Sequence, residues 1–224
     1  MSIKENLSDL KNQFKKTDCL LVAVSKTKPV SDIQEAYDAG IRDFGENKVQ
    51  ELVDKHPLLP DDIQWHMIGH LQRNKVKYIA PFIHLIHGVD TFKLLKEINK
   101  QAKKAERIIP CLLQIHIAKE ETKFGFSEEE ILELLQEGAF DELENVRIIG
   151  LMGMATNTDD ENQVRKEFAW LRGFLDQLNT KKLPNNFALK ELSMGMSGDF
   201  LIAQEEGSTM VRVGSAIFGR RNYR

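Results

Sequence analysis

Hydrophobic positions along this chain keep two rhythms. Short continuous apolar runs rich in Val, Leu and Ile read as strands buried on both faces. Between them, apolar residues recur every three or four positions, the period of an amphipathic helix. The strand-like runs are 19–25, 43–44, 64–68, 85–89, 108–117, 146–154, 189–194 and 210–213. Helical faces lie between them. One carries Leu94, Leu95, Ile98, Ala102 and Ala105, and a longer one Val164, Phe168, Leu171, Leu175 and Leu178. Ser31 to Gln34 and Ser127 to Glu130 have the capping-box pattern of helix starts, and Gly40 and Gly138 supply stops.

Strands alternating with helices predict parallel βαβ units, and eight of them in 224 residues predict a (β/α)8 barrel. A doubly wound open sheet is the competing α/β architecture, but it rarely needs eight strands at this length. About ten residues follow the eighth run, too few for a full closing helix. The N-terminal segment has Ile3, Leu7, Leu10 and Phe14 at helical spacing, with Ser2 and Glu5 as a capping box. An extra helix is therefore expected before the first strand, covering part of the ring. The expectation is one domain over residues 1–224.

Composition removes several classes of function. Hydrophobic residues make up 42% and charged residues 29%, as in ordinary soluble domains. A formal net charge of -3 gives no cationic field for nucleic acid or an anionic membrane surface. No apolar run approaches the roughly 20 residues of a bilayer span, and "MSIKENLSDLKNQFKK" lacks the apolar core of a secretory signal. Cys19 and Cys111 sit in strand-like runs and read as buried thiols in a reducing compartment. A cytoplasmic monomer is expected.

In such barrels the chemistry sits where strands end, with phosphate often held after strands seven and eight. "LLVAVSKTKP" runs an apolar strand straight into Lys26, which snorkels outward, finds a partner or does chemistry. Lys28, before Pro29, reads as solvated. Asn47 and Lys48 follow strand two, as helix-start residues or as ligand contacts. Ser197-Gly198 and Gly214-Ser215 follow strands seven and eight. Small residues let backbone N–H groups approach a phosphate, although serine caps on ordinary turns look the same. Arg212 falls inside strand eight, where a buried charge needs an acceptor, Glu191 or a ligand ring nitrogen. His66 and His70 are four apart, but Gly69 intervenes and no cysteine or acidic cluster supports them; His84 and His87 flank strand four. No metal site is expected.

The motifs "AVSKTKP", "FGENKVQE", "WHMIGHLQRNK", "GLMGMAT", "LSMGMSGD" and "VRVGSAIFG" together resemble those of the YggS/PROSC family of pyridoxal-phosphate-binding proteins, the pyridoxal phosphate homeostasis proteins. The resemblance runs from Leu20 to Gly219 and implies the fold type III barrel of the alanine racemase N-terminal domain. It implies pyridoxal 5'-phosphate as cofactor, with Lys26 as its Schiff-base lysine and Asn47 beside it. Ser197, Gly214 and Ser215 match the phosphate cradle, and Arg212 the arginine facing the pyridine nitrogen. The implied function is a non-catalytic carrier of the cofactor that hands it transiently to apo-enzymes. A small amino-acid racemase and a simple phosphate-ester binder are the alternatives. Two-base racemisation needs an acid or base on each face of the substrate carbon. The three tyrosines, Tyr37, Tyr78 and Tyr223, fall in two helices and the tail, none placed for that role.

Overall fold

The computed structural model describes residues 2–15, 18–119 and 124–219, which leaves Tyr223 outside the described residues. Its eight strands are β1 (Leu20–Val24), β2 (Asp43–Glu46), β3 (Gln64–Met67), β4 (Leu85–Val89), β5 (Ile109–Gln114), β6 (Val146–Met152), β7 (Phe187–Ser193) and β8 (Met210–Val213). All neighbours pair in parallel, and β8 returns to β1 with Val22 opposite Arg212, so the sheet closes into a barrel. Parallel strands need long crossovers, and helices supply them. These are α2 (Val30–Asp38), α3 (Val49–Lys55), α4 (Val76–Ile79), α5 (Phe92–Lys104), α6 (Glu128–Gln136), α7 (Glu161–Asn179) and α8 (Phe200–Glu205). The extra N-terminal helix is α1 (Ile3–Gln13), and the short α9 (Ser215–Phe218) follows β8.

Helix α1 starts with the expected capping box of Ser2 and Glu5 and buries Leu7 and Leu10. It packs on α9, where Asn6 Nδ2 donates to the Ile217 carbonyl at 2.8 Å. Helix α6 carries the predicted Ser127–Glu130 box. Helix α2 departs from expectation. It begins one residue before Ser31, with Pro29 at the N-cap and no side-chain cap. A proline needs no N–H partner at a helix start, so it sets this boundary without the serine.

Strand alternation sorts the side chains into two layers. Leu21, Ala23, Phe44, Trp65, Met67, Ile86, Leu192, Val211 and Val213 face outward into the main core under the helices. Their neighbours along each strand therefore face the barrel interior. There Leu85, Leu112, Met152 and Met210 form a separate small apolar cluster. The interior also holds four buried polar side chains, many for a barrel core: His66, His87, Ser193 and Arg212. Between β6 and β7 the backbones come so close that a side chain at Gly150 would lie 1.9 Å from the Glu191 carbonyl, at a shift of register.

Candidate functional site

A cavity of about 300 Å³ opens at the C-terminal ends of the strands. Lys26, Asn47, Ser197, Arg212, Gly214 and Ser215 all line it. They come from the ends of β1, β2, β7 and β8, so closure of the barrel is what brings them together. Its volume sits at the lower end of the roughly 300–1,000 Å³ usual for small-molecule sites. Ile68, Met154 and Met196 add apolar wall.

The Lys26 wall is carried by buried charge. Lys55, at the end of α3, donates from Nζ to Glu46 Oε1 at 2.8 Å, to Glu51 Oε2 at 3.1 Å and to the Ser25 carbonyl at 3.0 Å. The Ser25 hydroxyl donates to the same Glu46 oxygen at 2.6 Å, and the Thr27 N–H donates to Glu51 Oε2 at 2.7 Å. The residues on both sides of Lys26 are thus tied to one cluster. Thr27 needs that tie, because its φ of 65° is a strained conformation for a β-branched residue. Burial raises the Glu46 pKa above its ordinary value, against the pull of Lys55. Glu51 goes the other way: against its own desolvation, the Thr27 N–H and Lys55 hold it low.

Lys28 is not the solvated residue the sequence suggested. It is half-buried, lines the same cavity, and donates from Nζ to the Phe218 carbonyl at 2.6 Å. That contact ties the loop after β1 to the end of α9. Asn47 is exposed at the rim, and its amide lies over Gly69, where an added Cβ would meet Asn47 Oδ1 at 2.6 Å. Only glycine leaves room for Asn47 there.

The opposite wall uses backbone and small side chains. The turn after β7 bends at Gly195, φ 96°, and the Gly214 N–H donates to Ser197 Oγ at 3.3 Å, joining the two predicted turns directly. A Cβ at Gly198 would meet nothing within 4 Å, whereas one at Gly214 would press on Val24 at 3.2 Å.

Arg212 is buried, and Glu191 is not its partner, since Glu191 Oε2 takes the Thr209 hydroxyl at 2.6 Å. The guanidinium donates to the Ser193 carbonyl at 2.7 Å, to Ser193 Oγ, and to the Gly153 carbonyl at 3.2 Å. These bonds use three of its five N–H groups. Burial lowers its pKa to about 10, which leaves it cationic at neutral pH.

From Arg212 a chain of hydrogen bonds crosses the barrel interior. Ser193 Oγ meets His87 Nδ1 at 2.8 Å, His87 Nε2 meets His66 Nδ1 at 2.8 Å, and His66 Nε2 meets Asp43 Oδ1 at 3.0 Å. Arginine only donates and a carboxylate only accepts. With both imidazoles neutral, every donor then points from Arg212 towards Asp43. Burial, then the neighbouring His66 and Arg212, push His87 well below the ordinary imidazole range, consistent with that neutrality. His87 lies inside β4 rather than flanking it, and its true neighbours are 21 and 106 residues away. The sequence sets His66 and His70 four apart but does not support that pair, because Gly69 intervenes. His70 sits at the other end of β3, paired with Asp90 at 2.6 Å.

Comparison with known proteins places these features among relatives. Residues 1–222 match the family described as alanine racemase, N-terminal domain. A pyridoxal phosphate homeostasis protein of Aquifex aeolicus (strain VF5) is 42% identical, across 91% of this chain and 87% of its own. The structure of PipY from Synechococcus elongatus PCC7942 with PLP bound superposes with a TM-score of 0.88 at 35% identity, covering 97% of this chain and 100% of that one. An alanine racemase from Bartonella henselae with covalently bound pyridoxal phosphate shares the fold, at TM-score 0.74 and 17% identity, over 97% of this chain but 58% of its own.

Proposed function

This chain belongs to the family of pyridoxal phosphate homeostasis proteins, and on that premise we propose that it binds pyridoxal 5'-phosphate through Lys26 and holds it without classical turnover. The observation that carries this reading is the meeting of Lys26, Arg212 and two small-residue turns in one cavity. When bound, the cofactor supplies an aldehyde, which condenses with an amine to form a C=N bond and release water.

The residues present fit that group. Lys26 brings the amine, at a strand exit braced from both sides by Glu46, Glu51 and Lys55. Arg212 retains N–H capacity towards the cavity it lines and suits an unprotonated ring nitrogen, to which it donates without giving up a proton. Ser197, Gly198, Gly214 and Ser215 offer hydroxyls, N–H groups and open space for a phosphate. Asn47 closes the rim.

Two observations favour holding over racemisation. Arg212, facing a ring nitrogen, would leave the pyridine uncharged and a weaker electron sink, although racemases of the similar fold also use an arginine there. Among the described lining residues, Lys26, Lys28 and Arg212 are the titratable groups, with no tyrosine, histidine or carboxylate to serve a second face. Tyr37 is engaged elsewhere, donating to Asp62 at 2.7 Å, and Tyr78 is exposed on α4. No described helix is long and apolar enough to cross a membrane. The two cysteines are both buried, which fits a reducing compartment. A cytoplasmic monomer that passes its cofactor transiently to apo-enzymes completes the reading.

The test is reconstitution with pyridoxal phosphate, borohydride reduction and racemase assays over the common amino acids. The reading predicts a stable reduced adduct and no turnover above that of free cofactor. Turnover well above that level, abolished by Lys26→Ala, would replace it with the racemase. A protein that takes up no cofactor would leave only a phosphate-ester binder.

A further inference from the structure

The opposite end of the barrel holds a second group of ligand-type side chains. Asp43 begins β2, His66 lies on β3, and His84 immediately precedes β4. These strands are neighbours in the ring, and one ligand atom from each residue lies within 4.8 Å of the others. We propose that Asp43, His66 and His84 form a binding site for a divalent transition metal of the zinc class.

The donor set is two imidazoles and one carboxylate, a combination that suits transition metals and leaves a position open. Zinc bonds of about 2.0–2.1 Å put ligand atoms on the order of 3.3 Å apart in a tetrahedral site. Asp43 Oδ1 and His66 Nε2 already stand 3.0 Å apart. His84 is the exposed member, so its ring can close the remaining distance by side-chain rotation. Its ring nitrogens carry no hydrogen bond among the described residues, whereas the other two members are engaged.

A second observation points the same way. A metal-bound imidazole needs its other nitrogen held by a hydrogen-bond partner. His66 Nδ1 has one in His87 Nε2, and His87 is itself an imidazole that either donates or accepts. The His66–His87 bond can therefore run in either direction. If His66 presents its Nε2 lone pair to a metal, both imidazoles exchange tautomer. His66 then donates to His87, and His87 donates to Ser193 Oγ, which also accepts from Arg212; the number of protons on the three groups is unchanged, and the Ser193 hydroxyl hydrogen leaves its bond to His87. The opposing charge nearby is Arg107, held on the Ala80 and Ile83 carbonyls at 2.7 Å each. Its repulsion weakens every cation alike, so affinity and selectivity have to come from the imidazole nitrogens.

The site does not depend on the cofactor reading, because it uses none of the cavity residues. The test is a titration of the full chain with Zn²⁺ against a chromophoric chelator. Wild-type protein should compete for one equivalent. His84→Ala and Asp43→Asn should each weaken binding by about tenfold or more, and Mg²⁺ should not displace the zinc. His70→Ala, at the other end of the barrel, should bind like wild type. Asp43→Asn keeps an acceptor for His66, and His84 is exposed, so thermal melts should show both variants folded. Failure of wild-type protein to compete, or equal binding by wild type and His84→Ala, would overturn the proposal.

Discussion

The two walls of the cavity are built on opposite principles. The β1–β2 wall holds Lys26 with a charged cluster: buried Lys55 and half-buried Glu51 grip the backbone of Ser25 and Thr27, and buried Glu46 takes the Ser25 hydroxyl and Lys55. Apart from Arg212, the β7–β8 wall meets the cavity with small residues and backbone N–H groups, and among the described residues it carries no ion-paired cluster of that kind. A nucleophile must be aimed, and aiming a flexible lysine requires a rigid base. A phosphate seat needs space and donors, and side chains there would only take up room. The first wall should therefore fail through stability and the second through affinity alone.

The largest effect should come from Lys55→Ala. It strands Glu46, fully buried, without its cation. Breaking a buried pair from one side typically destabilises by roughly 3–5 kcal/mol, readable as a lower urea midpoint. A change under about 1 kcal/mol would put this cluster in the class of ordinary surface pairs and dissolve the contrast. Gly198→Ala should do the reverse. Its Cβ meets nothing within 4 Å, so melting should not move. Cofactor affinity should fall by about tenfold, equivalent to 1.4 kcal/mol, in an absorbance titration. Ser193→Ala removes one acceptor of Arg212 and the link to His87. Its effect on affinity should be smaller, about two- to tenfold for a bond of roughly 0.5–1.5 kcal/mol.

The smallest effect is one of acidity, and it has opposite signs on the two sides. Burial raises Glu46, so its contribution is complete below its ordinary value of 4.5 and is lost as pH rises through its folded value. Glu205, at the end of α8 on the β7–β8 side, is lowered to about 2 by Lys15 and Arg165. Its contribution is complete above 4.5 and is lost as pH falls towards 2. Glu205 is exposed, so salt should flatten its share first. Melting curves of Glu46→Gln and Glu205→Gln across this range should lose slopes of opposite sign.

Much of this molecule was legible in the chain. Strands β4 and β8 begin and end where the apolar runs do, and the capping boxes of α1 and α6 form as written. Closure of the ring follows from counting eight strand–helix units. Lys26, Asn47, Ser197, Gly214 and Ser215 were legible because they follow strand ends, and Arg212 because it is a charge inside β8. What was hidden depends on contacts across the ring. Glu46, Glu51 and Lys55 look like a strand end and an ordinary charged helix, and only the fold turns them inward onto Ser25 and Thr27. The pairing of His66 with His87, and of Arg212 with Ser193, joins residues from different strands. The sequence offers only Glu191 as an acceptor in the chain for Arg212 and no partner for His66. Ser31 failed as a cap because Pro29 had already set the helix start.

The account stands on one amine. Reconstituting the protein with pyridoxal phosphate, reducing it with borohydride and mapping the adduct by peptide mass spectrometry tests it directly. The predicted result is a single modified peptide in which the label sits on Lys26. A label on Lys28 or Lys48, or no label at all, would contradict the account.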